Sequence, residues 1–452
     1  LQMGCLYEES RRTGTPEVWR TVMRQEAHNY LDLALHYAKA GLLEEAVEIL
    51  QACPEQSPMP SYYEGYLHGL AGDEAAARAC CLRAEHLPAP RCYPNRVEEI
   101  AILEYAIRLL GRAPRAHALL GCLLYDKKQA DAAIAHWEAS VQQDPGQALV
   151  HRNLAIARYN KQGDADAALR EMEQARRLDP GYPRLLLEYD QLAARLGRSN
   201  AARLQLLEEN LALVEQRDDL MLRYVTLLNC EGRCEEALQI LLTRRFHPWE
   251  GGEGKVSAQY RYALIRLAKD CLNRGENDRA VQLLEQSKTY PDTLGEGKLP
   301  NVPDNEADYW QGVALRAMGR EPEAAAAFLR AASGPQEPGR VLYYNDQPSD
   351  FIYYQGLAQR AMGNEAAARK AFHKLLTYGE THLFDAVAYD FFAVSLPEIE
   401  VFADDIALRN RQYCNYLRAL GCAGLGRTSE AAELFAGILE LQPDDQGALR
   451  HA

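Results

Sequence analysis

Pairs of small residues that lie 12 positions apart recur along almost the whole chain. Two helices that cross at close range need small side chains at the crossing, because bulky ones would hold the backbones apart. The pairs therefore predict a series of helix hairpins. They are Ala34/Ala46, Gly65/Ala77, Gly121/Ala133, Ala268/Ala280, Gly312/Ala324, Gly356/Ala368 and Ala419/Ala431, with Ala155/Ala168 one residue longer and Asp190/Ala202 and Val225/Ala237 as weaker members.

A glycine usually stands seven positions after the first member of a pair and predicts the end of the first helix. Glycine can adopt the left-handed conformation that closes a helix and starts a tight turn. A large apolar residue, such as Leu50, Trp137 or Phe372, follows four positions after the second member. The glycines are Gly41, Gly72, Gly197, Gly232, Gly275, Gly319, Gly363 and Gly426, and Pro145, Pro180 and Pro443 are predicted to stop the second helices of their units.

This combination resembles the tetratricopeptide repeat and covers the chain from about residue 29 to residue 443. The resemblance implies an all-α fold, a right-handed α-α solenoid of about ten helix hairpins. A solenoid also accommodates 452 residues without a composition break, because a stack of repeats needs no single central core. Residues 96–110 predict an additional helix without a clear partner, and residues 379–410 break the register.

The spacing between units changes along the chain. We expect a tail over residues 1–14, repeats of near-standard length over 15–245, and repeats spaced by 43–44 residues over 246–452. The added residues fall between units, at 246–255, 290–305 and 333–350. Because aligned insertions in a solenoid fall on one edge, these three loops are expected to form a ridge there.

The tetrapeptide Gly-Glu-Gly-Lys occurs in the first two loops, at residues 252–255 and 295–298. A Walker A phosphate loop needs Gly-x4-Gly-Lys followed by Ser or Thr. Trp249 and Asp292 stand where the first glycine is required, and no Ser or Thr follows either lysine. Phosphate binding by that mechanism is therefore excluded.

Two interpretations of the repeated loops remain open. In the first, the glycines supply turn conformations while Glu253/Lys298 or Glu296/Lys255 bridge neighbouring units. In the second, the loops contact a ligand or a partner, since loops on a rigid scaffold are where function concentrates.

Aromatic and polar residues in or beside the three loops are candidate binding residues. Exposed aromatic rings stack on sugars or anchor protein interfaces, but rings can also fold back over the hydrophobic ends of helices. The segment 343–350 (YYNDQPSD) could bind a sugar or a cation, or form an ordinary turn with helix-capping residues. The candidates are His247, Trp249, Glu250, Glu253, Lys255, Tyr290, Glu296, Lys298, Tyr343, Tyr344, Asn345 and Asp346.

We find no catalytic motif of the Gly-x-Ser-x-Gly or His-Glu-x-x-His type and no zinc-finger cysteine spacing. The acid pairs Asp404/Asp405 and Asp444/Asp445 are interpreted as helix starts or solvated surface. We therefore predict no catalytic residue, no cofactor and no metal, and we expect that this chain alone is not an enzyme. The 11 cysteines are predicted to be reduced thiols in the core.

The formal net charge of −14 argues against a nucleic-acid backbone or an anionic membrane as the main partner. No signal peptide and no run of 18 apolar residues is found, so we expect a cytoplasmic protein that does not span a membrane. The sequence begins with Leu1 rather than Met, so we expect that a segment precedes it.

Longer stretches of the chain resemble a bacterial family of uncharacterised proteins. In that family such a repeat region follows a large amino-terminal domain of β-sandwich type, and a carbohydrate-related role is proposed. The resemblance implies that this chain is the carboxy-terminal half of a longer protein, and it transfers no catalytic residue. The stretches are YDKKQADAAIAHWEASVQQDP (125–145), RRFHPWEGGEGKV (244–256), LGEGKLP (294–300), YYNDQPSDFIYYQGLA (343–358) and FFAVSLPEIEVFADD (391–405).

These observations lead to a primary hypothesis and two alternatives. The primary hypothesis is a non-catalytic interaction scaffold that docks on the amino-terminal domain of its own longer protein or on another protein. The first alternative is an accessory part of a carbohydrate-active protein, in which the loop aromatics contribute to a sugar site. The second is a chaperone-tail clamp, for which Arg152, Asn153 and Lys161 are candidates.

Overall fold

Helices make up the regular structure of the chain. The computed structural model describes residues 2–89, 92–343, 346–389 and 400–451. Over these ranges it contains 25 α-helices, one π-helix and one 3-10 helix, and no β-strand. The predicted all-α solenoid is therefore confirmed. Contacts between Cα atoms divide the chain into two compact units, Leu1–Asp179 (unit 1) and Pro180–Ala452 (unit 2).

Unit 1 contains eleven of the described α-helices. Side-chain caps and prolines fix several of their starts: Asp73 and Asp164 each accept a hydrogen bond from a backbone N–H three residues later, and Pro58 and Pro114 open helices. The helices are α1 Gln2–Thr13, α2 Glu17–Met23, α3 Ala27–Lys39, α4 Leu43–Gln51, α5 Pro58–Leu70, α6 Glu74–His86, α7 Glu98–Leu110, α8 Pro114–Asp126, α9 Ala130–Gln143, α10 Ala148–Ala157 (continued by the π-helix Arg158–Gln162) and α11 Ala165–Leu178.

Unit 2 contains the other fourteen described α-helices. They are α12 Pro183–Arg195, α13 Asn200–Glu208, α14 Leu211–Val214, α15 Asp218–Cys230, α16 Cys234–Thr243, α17 Lys255–Asn273, α18 Asn277–Gln286, α19 Asn305–Ala317, α20 Glu321–Ala331, α21 Phe351–Ala361, α22 Glu365–His382, α23 Ile406–Gly424, α24 Thr428–Leu441 and α25 Gln446–Leu449, with the 3-10 helix Asp292–Leu294 between α18 and α19.

The predicted small residues lie where the two helices of a hairpin touch. A Cβ atom on Gly65 would come within 2.5 Å of the Cys81 sulfur on the facing helix. One on Gly121 would come equally close to the Trp137 ring, which is 2% exposed. The spacing of 12 therefore identifies both the hairpins and their contact points. The glycines that were predicted to end the first helices all have positive φ angles, between 66° and 85°.

Replacing Gly121 with alanine should destabilise the protein by about 1–3 kcal/mol, because the added methyl group overlaps the buried Trp137 ring. Gly437, within α24, provides a control because a Cβ atom there would have no neighbour within 4 Å. Gly437→Ala should be neutral or stabilise by up to about 1 kcal/mol. Urea unfolding followed by circular dichroism measures both variants, and equal midpoints would contradict the close-packing role of Gly121.

Three structural features add to the expected organisation, which itself stays a prediction. Residues 2–13, in the predicted tail, form α1, and the Tyr7 ring packs 5.2 Å from the Trp19 ring. The additional helix α7, predicted to lack a partner, packs against α5, α6 and α8. The compact units divide after Asp179, whereas the repeat spacing lengthens after residue 245. The predicted register break includes residues 390–399, which lie outside the described ranges.

Candidate functional site

The two Gly-Glu-Gly-Lys loops interlock with each other. The backbone N–H of Phe246 donates to the Thr293 carbonyl at 2.8 Å, which joins the two loops directly. Gly295 has φ of 78°, and a Cβ atom there would collide with the Phe246 carbonyl oxygen. Glycine is therefore required at this position for both its conformation and its lack of a side chain.

The charged residues of these loops bind within unit 2, but not in the predicted pairs. Both carboxylate oxygens of Glu296 accept backbone N–H groups at the start of α17, from Gly254 at 2.8 Å and Ser257 at 3.2 Å. Lys298 donates to Asp304 at 2.6 Å instead of bridging to Glu253. These contacts are not the suggested pairs Glu253/Lys298 and Glu296/Lys255, because the carboxylate of Glu296 accepts from the exposed N–H groups at a helix N-terminus and Lys298 finds its carboxylate in Asp304.

Replacing Glu296 with alanine should destabilise unit 2 by about 1–2 kcal/mol, because two N–H groups at the start of α17 lose their acceptor. The change should also speed proteolytic cleavage of the 246–255 loop. Glu250→Ala, in the same loop but at an exposed position, should leave both properties unchanged. Similar cleavage rates for the two variants would contradict the capping role.

The aromatic candidates in these two loops are largely engaged in packing. Trp249 is half-buried and covers Gly252, where a Cβ atom would collide with the indole ring. Tyr290 meets Tyr260 edge-to-face at 6.4 Å between ring centroids. His247 remains exposed, and its ring and its backbone N–H both contact Asp218 at 2.9 Å.

Lys255 is the candidate residue whose pKa departs far from its ordinary value. Burial lowers the pKa of its ammonium group to about 8. The third loop contacts the second through Asn305, whose side chain donates to the Ser333 carbonyl at 2.8 Å. Within the third loop Asp346 accepts the N–H groups of Leu342 and Tyr343, and Ser349 binds Tyr413 of α23. The structure thus brings the first two loops together, and a three-loop ridge stays a prediction. Tyr344 and Asn345 lie outside the described residues.

A second arrangement in unit 2, which the sequence did not reveal, is the docking of residues 443–451, of which Ala448 is fully buried and the others are half-buried. This docked segment follows α24 and contains the short helix α25. Residues from α13, α15, α17, α19, α21 and α23 contact it, so it lies along the inner surface that these helices share. We call that surface the unit 2 groove.

One end of the unit 2 groove binds the carboxylate of the docked segment. Asp190 is fully buried, and Arg203 and Arg223 donate to it at 2.8 Å each. The same two arginines also reach Asp444, at 2.9 and 3.3 Å. Burial acts to raise the pKa of Asp190, but Arg223 and Arg203 outweigh it and hold that pKa below its ordinary value.

The groove also binds the backbone of the docked segment. The Asn200 side chain donates to the Pro443 carbonyl at 2.7 Å, and Lys269 donates to the Arg450 carbonyl at 3.4 Å. Between these points Gln259 and Gln446 exchange hydrogen bonds at 2.8 and 3.0 Å. Side chains that bind backbone carbonyls recognise an extended or turning chain whatever its side chains are.

The other end of the groove binds a cation. Arg450 donates to Glu306 at 2.9 Å, lies 3.8 Å from Asp350, and stacks on the Tyr262 ring at 5.0 Å from its centroid. The neighbouring Tyr354 hydroxyl donates to Glu306 at 2.7 Å. This guanidinium is therefore held by two carboxylates and one aromatic face.

His451 ends the docked segment inside a cluster of rings. Its imidazole stacks on Phe435 with an interplanar angle of 18° and also meets Tyr353, Tyr354 and Tyr416 within 6.3 Å. Burial lowers the pKa of His451 to about 3, so the docked imidazole is neutral.

Sequence reasoning identified only part of this site. Asp445 does start a helix, since its side chain accepts the Ala448 N–H at 2.8 Å, and Asp405 does the same for Leu408. Asp444 was interpreted as a helix start or solvated surface, yet it is buried against two arginines more than 200 positions away. The sequence contained one indication of this site. Asp190 stands at a position where the repeat pattern favours a small residue, and a carboxylate there needs buried partners.

The remaining sequence hypotheses concern unit 1, metals and membranes. Asn153 of the suggested chaperone clamp donates to the Cys122 sulfur at 3.5 Å and accepts from Arg152. Among the described residues, no group of three His, Cys, Asp or Glu side chains is placed to hold a metal ion. The 11 cysteines are free thiols, six of them buried. No described helix has both the length and the apolar character needed to cross a bilayer.

Comparison with known proteins supports the repeat assignment. The family model of the tetratricopeptide repeat matches residues 350–378, which cover α21 and most of α22. The chain is therefore an all-α solenoid with a tetratricopeptide repeat in unit 2. Stacked repeats of this class generally form extended concave surfaces on which partners bind.

Several solved structures of helical-repeat proteins are similar to the chain. "MamA 41-end from Desulfovibrio magneticus RS-1" has 19% identity over 42% of this chain and 93% of that one, with a TM-score of 0.25. A tetratricopeptide repeat protein from Parabacteroides merdae has 16% identity over 68% and 100%, with a TM-score of 0.28. "Human IFIT1 dimer with PPP-AAAA" has 14% identity over 92% and 90%, with a TM-score of 0.27. Superpositions with TM-scores this low do not locate a functional site.

Proposed function

We propose that the chain is a non-catalytic scaffold that binds a peptide segment of a partner protein in the unit 2 groove. The observation that supports this function is the way the groove holds residues 443–451. It binds a carboxylate, two backbone carbonyls, a short helix and a guanidinium with side chains from successive repeats. Backbone carbonyls are common to all peptides, and the carboxylate, the guanidinium and the short helix are features that a peptide ligand can present.

A partner peptide would have to compete with the docked segment for the groove. The experiment therefore uses a chain in which the docked segment is weakened. The full chain carrying Asp444→Ala and Arg450→Ala keeps every groove residue but weakens its own segment. A fluorescein-labelled peptide of residues 442–452 should then bind it saturably, as measured by fluorescence anisotropy. The same peptide with both substitutions is the matched control and should bind far more weakly.

Groove residues provide a second control. Adding Asn200→Ala and Gln259→Ala to the weakened chain removes one contact to a backbone carbonyl and both hydrogen bonds with Gln446, and should reduce peptide affinity about tenfold or more. Circular dichroism confirms that each variant is folded, and the milder pair Asp444→Asn and Arg450→Gln replaces the alanines if it is not. Failure of every folded variant to bind the peptide would overturn the proposed function.

The finer sequence hypotheses concern which partner supplies the segment. Docking on a preceding domain of the same longer protein remains a proposal that rests on the family resemblance. A sugar site on the loops remains a prediction, and the packing of Trp249 and Tyr290 gives it no particular support. A glycan-binding screen that detects nothing would count against the sugar site without affecting the peptide groove.

A further inference from the structure

The charges of the unit 2 groove specify what can fill it. At one end, Asp190, Arg203 and Arg223 carry one excess positive charge, which Asp444 neutralises. At the other end, Glu306 and Asp350 face Arg450, with Lys269 nearby. Removing the docked segment would leave a net charge of opposite sign at each end. A ligand that carries the complementary charge at each end is therefore favoured over one that does not.

The two charges of the docked segment have a fixed order and spacing. The carboxylate comes first, at Asp444, and the guanidinium comes six positions later, at Arg450. Between them the chain makes the single turn of α25, whose first N–H groups are capped by Asp445. Ala448 is fully buried, and a Cβ atom on Gly447 would lie 3.0 Å from the Tyr416 ring, so bulky side chains do not fit at this turn.

We infer that residues 443–451 are an internal substitute ligand, and that the partner is a protein segment with an acidic residue, a compact turn of small residues and an arginine about six positions after the acid. Such a segment satisfies both ends of the groove and displaces the docked segment. This inference rests on the proposed function, to which it adds the chemistry of the ligand and the self-occupied state of the groove.

The docked segment is suited to being displaced. The helix α25 has four residues and cannot persist alone, because an isolated helix of one turn is unstable in water. Residues 443–451 therefore stay ordered only while the groove holds them. A linked segment competes at a high effective concentration, so an external peptide should bind the wild-type chain much more weakly than the weakened chain.

The first arm of the test compares two chains with one peptide. The labelled peptide of residues 442–452 should bind the Asp444→Ala/Arg450→Ala chain at least about 100-fold more tightly than the wild-type chain. Equal affinities would mean that the peptide binds somewhere other than the occupied groove, and would overturn the inference.

The second arm compares two peptides with one chain. A peptide with exchanged charges, Asp444→Arg and Arg450→Asp, has the same composition at the two ends but the opposite order. It should bind the weakened chain at least about 30-fold more weakly than the wild-type peptide, because each buried end would meet a like charge. Equal binding of the two peptides would overturn the inferred ligand chemistry and leave the proposed function standing, whereas binding of neither would overturn the proposed function itself.

Discussion

Replacing Asp190 with alanine is expected to destabilise unit 2 by about 3–5 kcal/mol. Asp190 is fully buried and accepts hydrogen bonds from Arg203, which is 2% exposed, and from Arg223. Without it, Asp444 would be the carboxylate that both guanidinium groups contact among the described residues. The destabilisation arises because the buried Arg203 guanidinium would lose its carboxylate partner without gaining contact with water.

Urea unfolding measures this effect. Asp278→Ala, at an exposed position in the first turn of α18, is the matched control and should change stability by less than about 1 kcal/mol. Adding Arg203→Leu to Asp190→Ala should recover part of the loss, since removing both partners avoids the unpaired charge. A loss below about 1 kcal/mol for Asp190→Ala would show that the cluster is hydrated and that the groove is not built around it.

Acidification is expected to release the docked segment, with docking about 20-fold weaker at pH 5 than at pH 7. His451 has an ordinary pKa near 6.5 when released, and burial lowers that pKa to about 3 when it is docked. Because the released imidazole takes up a proton and the docked one does not, the docking free energy is complete above about pH 6.5. It decreases as the pH falls from there toward 3.

The groups around His451 act in both directions and are smaller influences than burial. Glu306 on α19 favours its protonated form, whereas Arg450 and Lys269 disfavour it. The hydroxyl-bearing rings of Tyr353, Tyr354 and Tyr416 stay neutral over this range. Burial raises the pKa of Asp350 and of Asp445, which favours the docked state on acidification, so His451 is the group whose protonation favours release between pH 7 and pH 5.

Hydrogen-exchange protection factors of residues 443–451, corrected for intrinsic rates, measure the pH effect. His451→Phe is the matched variant, because phenylalanine keeps a ring that can stack on Phe435 but cannot be protonated. It should remove most of the difference in protection between pH 7 and pH 5. An unchanged pH dependence in His451→Phe would assign the effect to another group and contradict this prediction.

The sequence predicted the local part of the fold well. A small residue facing Trp137 or Cys81 and a glycine at a helix end are requirements that act within one hairpin. Because these requirements recur at a fixed spacing along the chain, they could be recognised in the sequence. The loop interlock was partly predictable too, since two copies of Gly-Glu-Gly-Lys implied equivalent loops, but the capping of α17 by Glu296 depended on how those loops meet.

The groove and its ligand could not be read from spacing. Asp444 and Arg203 are 241 positions apart, and nothing in a periodic pattern relates them. Residues 443–451 do not repeat any other unit, so they look like a terminal turn with acidic caps. Asp190 was the exception, because a carboxylate at a position that packing reserves for a small residue requires buried partners.

The most direct test of the central claim follows the docked segment itself in the wild-type chain. Hydrogen exchange of residues 443–451 is measured with and without millimolar isotope-labelled peptide of residues 442–452, a concentration comparable to that of a tethered competitor. We predict that the chain's own segment loses protection while the helices of unit 2 keep theirs. Unchanged protection of residues 443–451 in the presence of bound peptide would contradict the claim that they occupy a peptide-binding groove.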